Sequence, residues 1–136
     1  MRKLKIGFIC VHNSCRSIMA EGIARLKYSD IFEVYSGGTE KNDMVNSQAI
    51  KLLEEEYKIV DNFESKLVSV LPELDIVITM GCNVNCPYVT AKYREDFGID
   101  DPTNKSDEIF KLTAKIIELK IDLLVNKLRN GNIKII

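Results

Sequence analysis

Two stretches of this chain, Lys5–Val11 (KIGFICV) and Leu74–Met80 (LDIVITM), are apolar almost without interruption and rich in β-branched residues. A strand with one wet face alternates apolar and polar side chains. A strand without alternation must be covered on both faces, which helices on either side of a parallel sheet achieve. The intervening sequence supplies those helices. Ser17–Lys27 places Met19, Ala20, Ile23, Ala24 and Leu26 at helical spacing, and Val45–Tyr57 puts Val45, Ala49, Leu52 and Leu53 on one face. Ile31–Ser36 reads as a second strand stopped by Gly37-Gly38, and Tyr93–Ile99 as a short fourth strand leading into Asp100-Asp101-Pro102. Ser106–Leu128 reads as a long helix whose wide apolar face includes Ile109, Leu112, Ile116, Leu119 and Leu123. Strands alternating with helices imply βαβ units. The expected fold class is therefore α/β: a single three-layer domain over residues 1–136, with a parallel sheet flanked by helices.

The 136 residues suffice for one core, and 46% hydrophobic with 29% charged residues is a globular composition. The formal net charge of -1 supplies no general pull on nucleic acid or on an acidic membrane, and neither is expected as a partner. No export signal follows the basic Met1–Lys5, because the apolar run ends at His12-Asn13-Ser14. No segment has the apolar length of a membrane span. Four cysteines are too sparse for a disulfide scaffold. The expectation is a cytoplasmic monomer with reduced thiols, in which a disulfide is transient and catalytic.

The chemistry concentrates where strands end, since ligands of such folds bind beyond the carboxyl ends of the strands. Cys10 ends the first strand and is followed by Val11, His12, Asn13, Ser14, Cys15, Arg16, Ser17 and then a helix. Backbone N–H groups of a strand-to-helix loop converge on one point, and the helix N-terminus adds partial positive charge, so the loop suits an oxyanion of phosphate size. Arg16 can hold two of its oxygens with one planar group. The same positive setting favours the nucleophilic thiolate at Cys10, and Ser17 can hydrogen-bond that sulfur. His12 either tunes the loop's charge or points to solvent. Asn13 shapes the loop by side-chain hydrogen bonds and tolerates left-handed geometry. Cys15 packs beneath the loop. Cys82 and Cys86 follow Gly81 at the end of the strand over Leu74–Met80. By themselves they are a redox pair, two structural thiols or half of a zinc site, although Cys-x3-Cys is off the usual zinc spacing and partner ligands are missing. No metal and no cofactor is expected.

Cys10–Ser17 followed by Ile18-Met19-Ala20-Glu21-Gly22 resembles the phosphate loop and first helix of the low-molecular-weight protein tyrosine phosphatase fold. The run from Asn13 to Gly22 is closer to that fold's arsenate reductase branch. Tyr35-Ser36-Gly37-Gly38, Thr79-Met80-Gly81-Cys82, Cys86-Pro87 and Phe97–Pro102 extend the resemblance over most of the chain. It implies a four-stranded sheet in the order 2-1-3-4, with the anion loop at the end of strand 1. It also implies Asp101, next to Pro102, as the proton donor for the leaving oxygen; by chemistry alone the adjacent Asp100 is a rival acid. Thr103-Asn104-Lys105 stands where tyrosine phosphatases of this fold usually carry Tyr.

The resemblance further implies a mechanism. Cys10 attacks arsenate, Cys82 attacks the adduct to give arsenite and a Cys10–Cys82 disulfide, and Cys86 resolves it to Cys82–Cys86, which thioredoxin or another thiol reductant resets. Three residues separate Cys82 from Cys86, fewer than in the thioredoxin-coupled branch, so a small thiol is the alternative resolving agent. Low-molecular-weight phosphatase activity through a Cys10 phosphoenzyme is the alternative function, and a non-catalytic anion-binding or redox-sensing module is a third. Glu21, Ser36 and Asn13 match residues that hold potassium in some arsenate reductases. The acidic fourth member has no counterpart, and Lys66 is expected to supply a fixed charge instead.

Overall fold

The computed structural model describes residues 2–40, 44–81 and 90–135. Its elements run β1 (Leu4–Cys10), α1 (Arg16–Tyr28), β2 (Phe32–Gly38), α2 (Ser47–Tyr57), a single 3₁₀ turn (Val68–Val70), β3 (Leu74–Thr79), β4 (Ala91–Asp96) and α3 (Asp107–Arg129). The four strands form one parallel sheet in the order β2-β1-β3-β4, as expected. Every residue of β3 is buried, which accounts for a sequence apolar but for Asp75 and Thr79. The central strand β1 is covered on one face by α1, where Ile6, Phe8, Ile18, Met19 and Ile23 meet in the main core. On the other face Ile9 packs with Leu74 and Val77 in a smaller cluster. Among the described residues, no helix is long and apolar enough to cross a membrane.

Two elements differ from the sequence reading. The fourth strand spans Ala91–Asp96 rather than Tyr93–Ile99. Its ladder with β3 ends at the Thr79–Asp96 pair, and there the Asp96 carboxylate turns to accept hydrogen bonds from Thr79 Oγ1 (2.6 Å) and Gly81 N (2.8 Å). The second difference is rotational. Helix α3 forms where expected, but its buried face is Phe110, Thr113, Ala114, Ile117, Ile121, Leu124 and Val125. The apolar residues Ile109, Leu112, Ile116, Leu119 and Leu123 expected in the core are 39–60% exposed. The helix carries apolar residues on two neighbouring faces. Periodicity alone does not say which one the domain covers.

At the opposite end of the sheet from Cys10, Asp75 on β3 is buried and held by Arg2 in a two-pronged pair (2.8 and 2.9 Å) and by the backbone N–H of Lys5 (2.8 Å). The Arg2 hydrogen bonds keep its carboxyl well below the usual carboxylate range. This clamp joins the start of β1 to the neighbouring strand β3 and leaves the carboxyl ends of the strands for chemistry.

Candidate active site

Cys10 is the last residue of β1 and is almost fully buried. Its Sγ lies 2.9 Å from Ser17 Oγ in the first turn of α1, and Asn13 Nδ2 donates to the same hydroxyl oxygen at 2.8 Å. Asn13 itself has a φ of 51°, the left-handed conformation anticipated for it. Its Oδ1 accepts from the backbone N–H of Lys66 (2.8 Å), so one asparagine ties the loop to the sulfur's partner and to the segment before β3.

Several of the loop's carbonyls are engaged by other segments. Val11 O accepts from the N–H groups of Thr39 and Glu40 (2.9 Å each), His12 O from Ser65 Oγ (2.8 Å) and Ser14 O from Asn46 N (2.8 Å). Among the described residues, none accepts from the N–H groups of residues 11–17. Gly38 makes this closure possible, because a Cβ there would lie 2.8 Å from Val11 O and 2.9 Å from Asn13 N. Helix α1 adds to the field. Helices α2 and α3 begin with capping side chains, Asn46 and Ser106, whereas Cys15 at the start of α1 provides no side-chain cap. The unpaired N–H groups of the first turn thus face the loop with the positive end of the helix dipole.

Arg16 spans the loop and the cleft beside it. Its Nη1 donates to Met80 O (2.6 Å) and Ile99 O (2.8 Å), fixing the guanidinium at the end of β3 and at the segment after β4. Gly81, Asp96, Gly98, Ile99, Asp100 and Asp101 line the cleft with it. Gly81 has a φ of 91°, and a Cβ there would sit 2.9 Å from Ile99 O. Asp101 is exposed, and its Oδ1 accepts from Thr103 N (3.0 Å) and Thr103 Oγ1 (2.6 Å), a turn that Pro102 stiffens. Asp100 lines the same cleft without such a turn of its own.

Cys15 is buried beneath the loop, and burial, then the nearby Asp101 and Cys10, push its thiol up to about 12. It stays protonated at neutral pH, which suits packing rather than redox chemistry. His12 points outward, with Nδ1 3.7 Å from Glu40 and both side chains more than half exposed. Glu21 is buried and accepts from Ser36 Oγ, and Arg25 pairs with it at 2.6 Å while donating to Val34 O at 2.9 Å. The fixed positive charge at Glu21 is therefore Arg25, one helical turn away, and not Lys66. Glu21 is thus paired by Arg25 and receives Ser36 Oγ, while Asn13 Oδ1 receives Lys66 N. Cys82 and Cys86 lie outside the described residues.

Sequence reasoning picked out the contiguous set Cys10 to Ser17. It missed Gly38, Ser65 and Asp96, which reach the site from other segments. The only local signals for them were the Gly37-Gly38 stop and a carboxylate at a strand end.

Comparison with known proteins agrees with this geometry. The chain is 36% identical to arsenate reductase 1 of Staphylococcus epidermidis over 132 residues, covering 93% of this chain and 99% of that protein. It is 36% identical to an arsenate reductase of Staphylococcus aureus (strain Newman) over 127 residues, covering 90% and 96%. Among solved structures, an arsenate reductase in the phosphate-binding state superposes with a TM-score of 0.82 at 33% identity, over 93% of this chain and 98% of that one. A low-molecular-weight protein tyrosine phosphatase from T. tengcongensis reaches 0.79 at 26% identity, over 93% and 100%. The family model for low molecular weight phosphotyrosine protein phosphatase matches residues 5–133. With the family model matched over residues 5–133 and relatives 36% identical along most of their length, this chain belongs to the low molecular weight phosphotyrosine protein phosphatase family.

Proposed function

We propose that this protein is a cysteine-based arsenate reductase that works in the cytoplasm. The observation that carries the reading is the anchoring of Arg16 to Met80 O. It ties the anion loop to the strand end from which the chain leads, two residues later, to Cys82. Two residues of extended chain reach only about 7 Å. A phosphatase needs one thiolate, whereas reducing arsenate takes two electrons, which a thiol pair supplies by becoming a disulfide. Relatives named arsenate reductase at 36% identity support the same choice.

In this reading the N–H groups of Val11, His12, Asn13, Ser14, Cys15 and Arg16 receive the oxyanion. Arg16 uses Nη1 for Met80 and Ile99, which leaves its Nε and Nη2 edge for two arsenate oxygens. Cys10 attacks arsenic, and Asp101 protonates the departing oxygen, which leaves as water. Ser17 steadies the sulfur as thiolate before attack and as leaving group afterwards. Cys82 then attacks the Cys10 sulfur. The electron pair of the S–As bond stays on arsenic, releasing arsenite, and a Cys10–Cys82 disulfide forms. Cys86 attacks Cys82, freeing Cys10 as thiolate and leaving Cys82–Cys86, which thioredoxin or another dithiol reductant reduces by exchange.

Turnover assays on three forms of the protein test this reading. Wild type is expected to reduce arsenate with a thioredoxin system, and Cys10→Ser to lose both arsenate reduction and any aryl phosphate hydrolysis. Cys82→Ser is expected to lose only arsenate reduction. Normal arsenate turnover by Cys82→Ser contradicts the reading. Aryl phosphate hydrolysis in the absence of any arsenate reduction assigns the protein to the phosphatases of its family.

A further inference from the structure

The face of α3 turned away from the domain carries Ile109, Leu112, Ile116, Leu119 and Leu123, separated alternately by three and four residues. This is the seam that one helix presents to another in a two-stranded coiled coil, and it is narrower than the face a globular core covers. All five side chains are 39–60% exposed, and they make up most of the exposed large apolar residues among those described. None of them serves the domain's own packing, which uses the neighbouring face.

In place of the monomer expected from the sequence, we propose that this stripe is a dimer interface occupied by α3 of a second copy, running antiparallel. Antiparallel pairing sets Ile116 against the partner's Leu119, and Leu112 against the partner's Leu123. The charged residues beside the seam decide the direction. In the antiparallel pair Glu108 faces the partner's Arg129, and Lys115 faces the partner's Asp122, opposite charges at both positions. Parallel pairing instead sets Lys115 against the partner's Lys120 and leaves Asp122 against the partner's Lys127 as its complementary pair, so it has one repulsion that the antiparallel pair lacks. Lys115 is exposed, with Glu118 3.7 Å away on its own helix, and the Oδ1 of Asp122 also receives Lys27 and Tyr28 of its own chain. The stripe is large enough to hold a dimer. Its five side chains expose about 450 Å² per copy, and with the flanking residues the pair buries roughly 1,000 Å² or more, the range of a specific interface.

The test is sedimentation equilibrium of the full chain at tens to hundreds of micromolar, with reductant present so that no disulfide links copies. Wild type is expected to reach twice the chain mass. Leu119→Glu, at an exposed position, is expected to stay at the chain mass with an unchanged thermal melt. Glu108→Arg is expected to weaken association at least tenfold by facing the partner's Arg129, and Glu108→Arg with Arg129→Glu to restore it. A wild type that is monomeric throughout overturns the proposal. So does a dimer that survives Leu119→Glu, or a monomer whose stripe instead binds phosphatidylcholine vesicles. A dimer lost in Leu119→Glu but indifferent to the charge reversals overturns the antiparallel register.

Discussion

At the scale of single residues, the site is a chain of hydrogen bonds that begins at one sulfur. Cys10 contacts Ser17, Ser17 receives Asn13, and Asn13 holds Lys66 N. The first two of these were legible in the sequence because they fall between Cys10 and Ser17, and the spacing of Cys, Arg and Ser carries its own chemical logic. Lys66 was expected to act through its charge, yet its backbone N–H makes the contact, and sequence carries no signal for that. Gly38 went unassigned for a related reason. Its requirement comes from the backbone of residues 11–13, distant in sequence and close only after folding. A methyl group at Gly38 lies 2.8–2.9 Å from three backbone atoms of residues 11–13. Gly38→Ala is therefore expected to destabilise the protein by about 1–3 kcal/mol and to weaken phosphate or arsenate binding. Urea denaturation and anion titration measure the two effects.

At the scale of elements, the sheet does two jobs at its two ends. At the amino-terminal end the Asp75 clamp fastens the start of β1 to the neighbouring β3. Its carboxyl titrates below the ordinary value in the folded protein, so the clamp's contribution is complete above the unfolded value near pH 4 and is lost as pH falls below it. Asp75→Asn is expected to lower stability by on the order of 2 kcal/mol at neutral pH. The gap from wild type is expected to narrow as urea midpoints are measured at successively lower pH. At the carboxyl end, Asp96 holds Thr79 and Gly81, the stem of the segment that carries Cys82. Asp96→Ala is expected to slow arsenate turnover about tenfold or more through misplacement, while the alkylation rate of Cys10 stays near wild type. The sequence reading placed β4 too late because the apolar Phe97 and Ile99 extended its pattern, whereas the ladder stops where Asp96 leaves it. It also assigned α3 the wrong inner face. A helix apolar on two sides holds no mark of which side its own domain will cover, and the exposed charges beside the outer stripe became informative only once the inner face was known.

At the scale of the whole molecule, alternation of strand and helix was enough to require a parallel α/β sheet, and the order 2-1-3-4 came from the resemblance to a family. The near-neutral net charge is consistent with a field built locally, from loop N–H groups, the uncapped start of α1 and Arg16, rather than from a basic surface. The loop by itself suits phosphate and arsenate equally, since the two ions are nearly the same size and shape. Their fates differ only if electrons are available, and so the central claim rests on the cysteines. Free-thiol mapping by mass spectrometry after a single turnover, with arsenate and no external reductant, tests it most directly. The account predicts one arsenite per chain, a Cys82–Cys86 disulfide, and Cys10 and Cys15 recovered as free thiols. Recovery of all four cysteines as thiols with arsenate unreduced would contradict it.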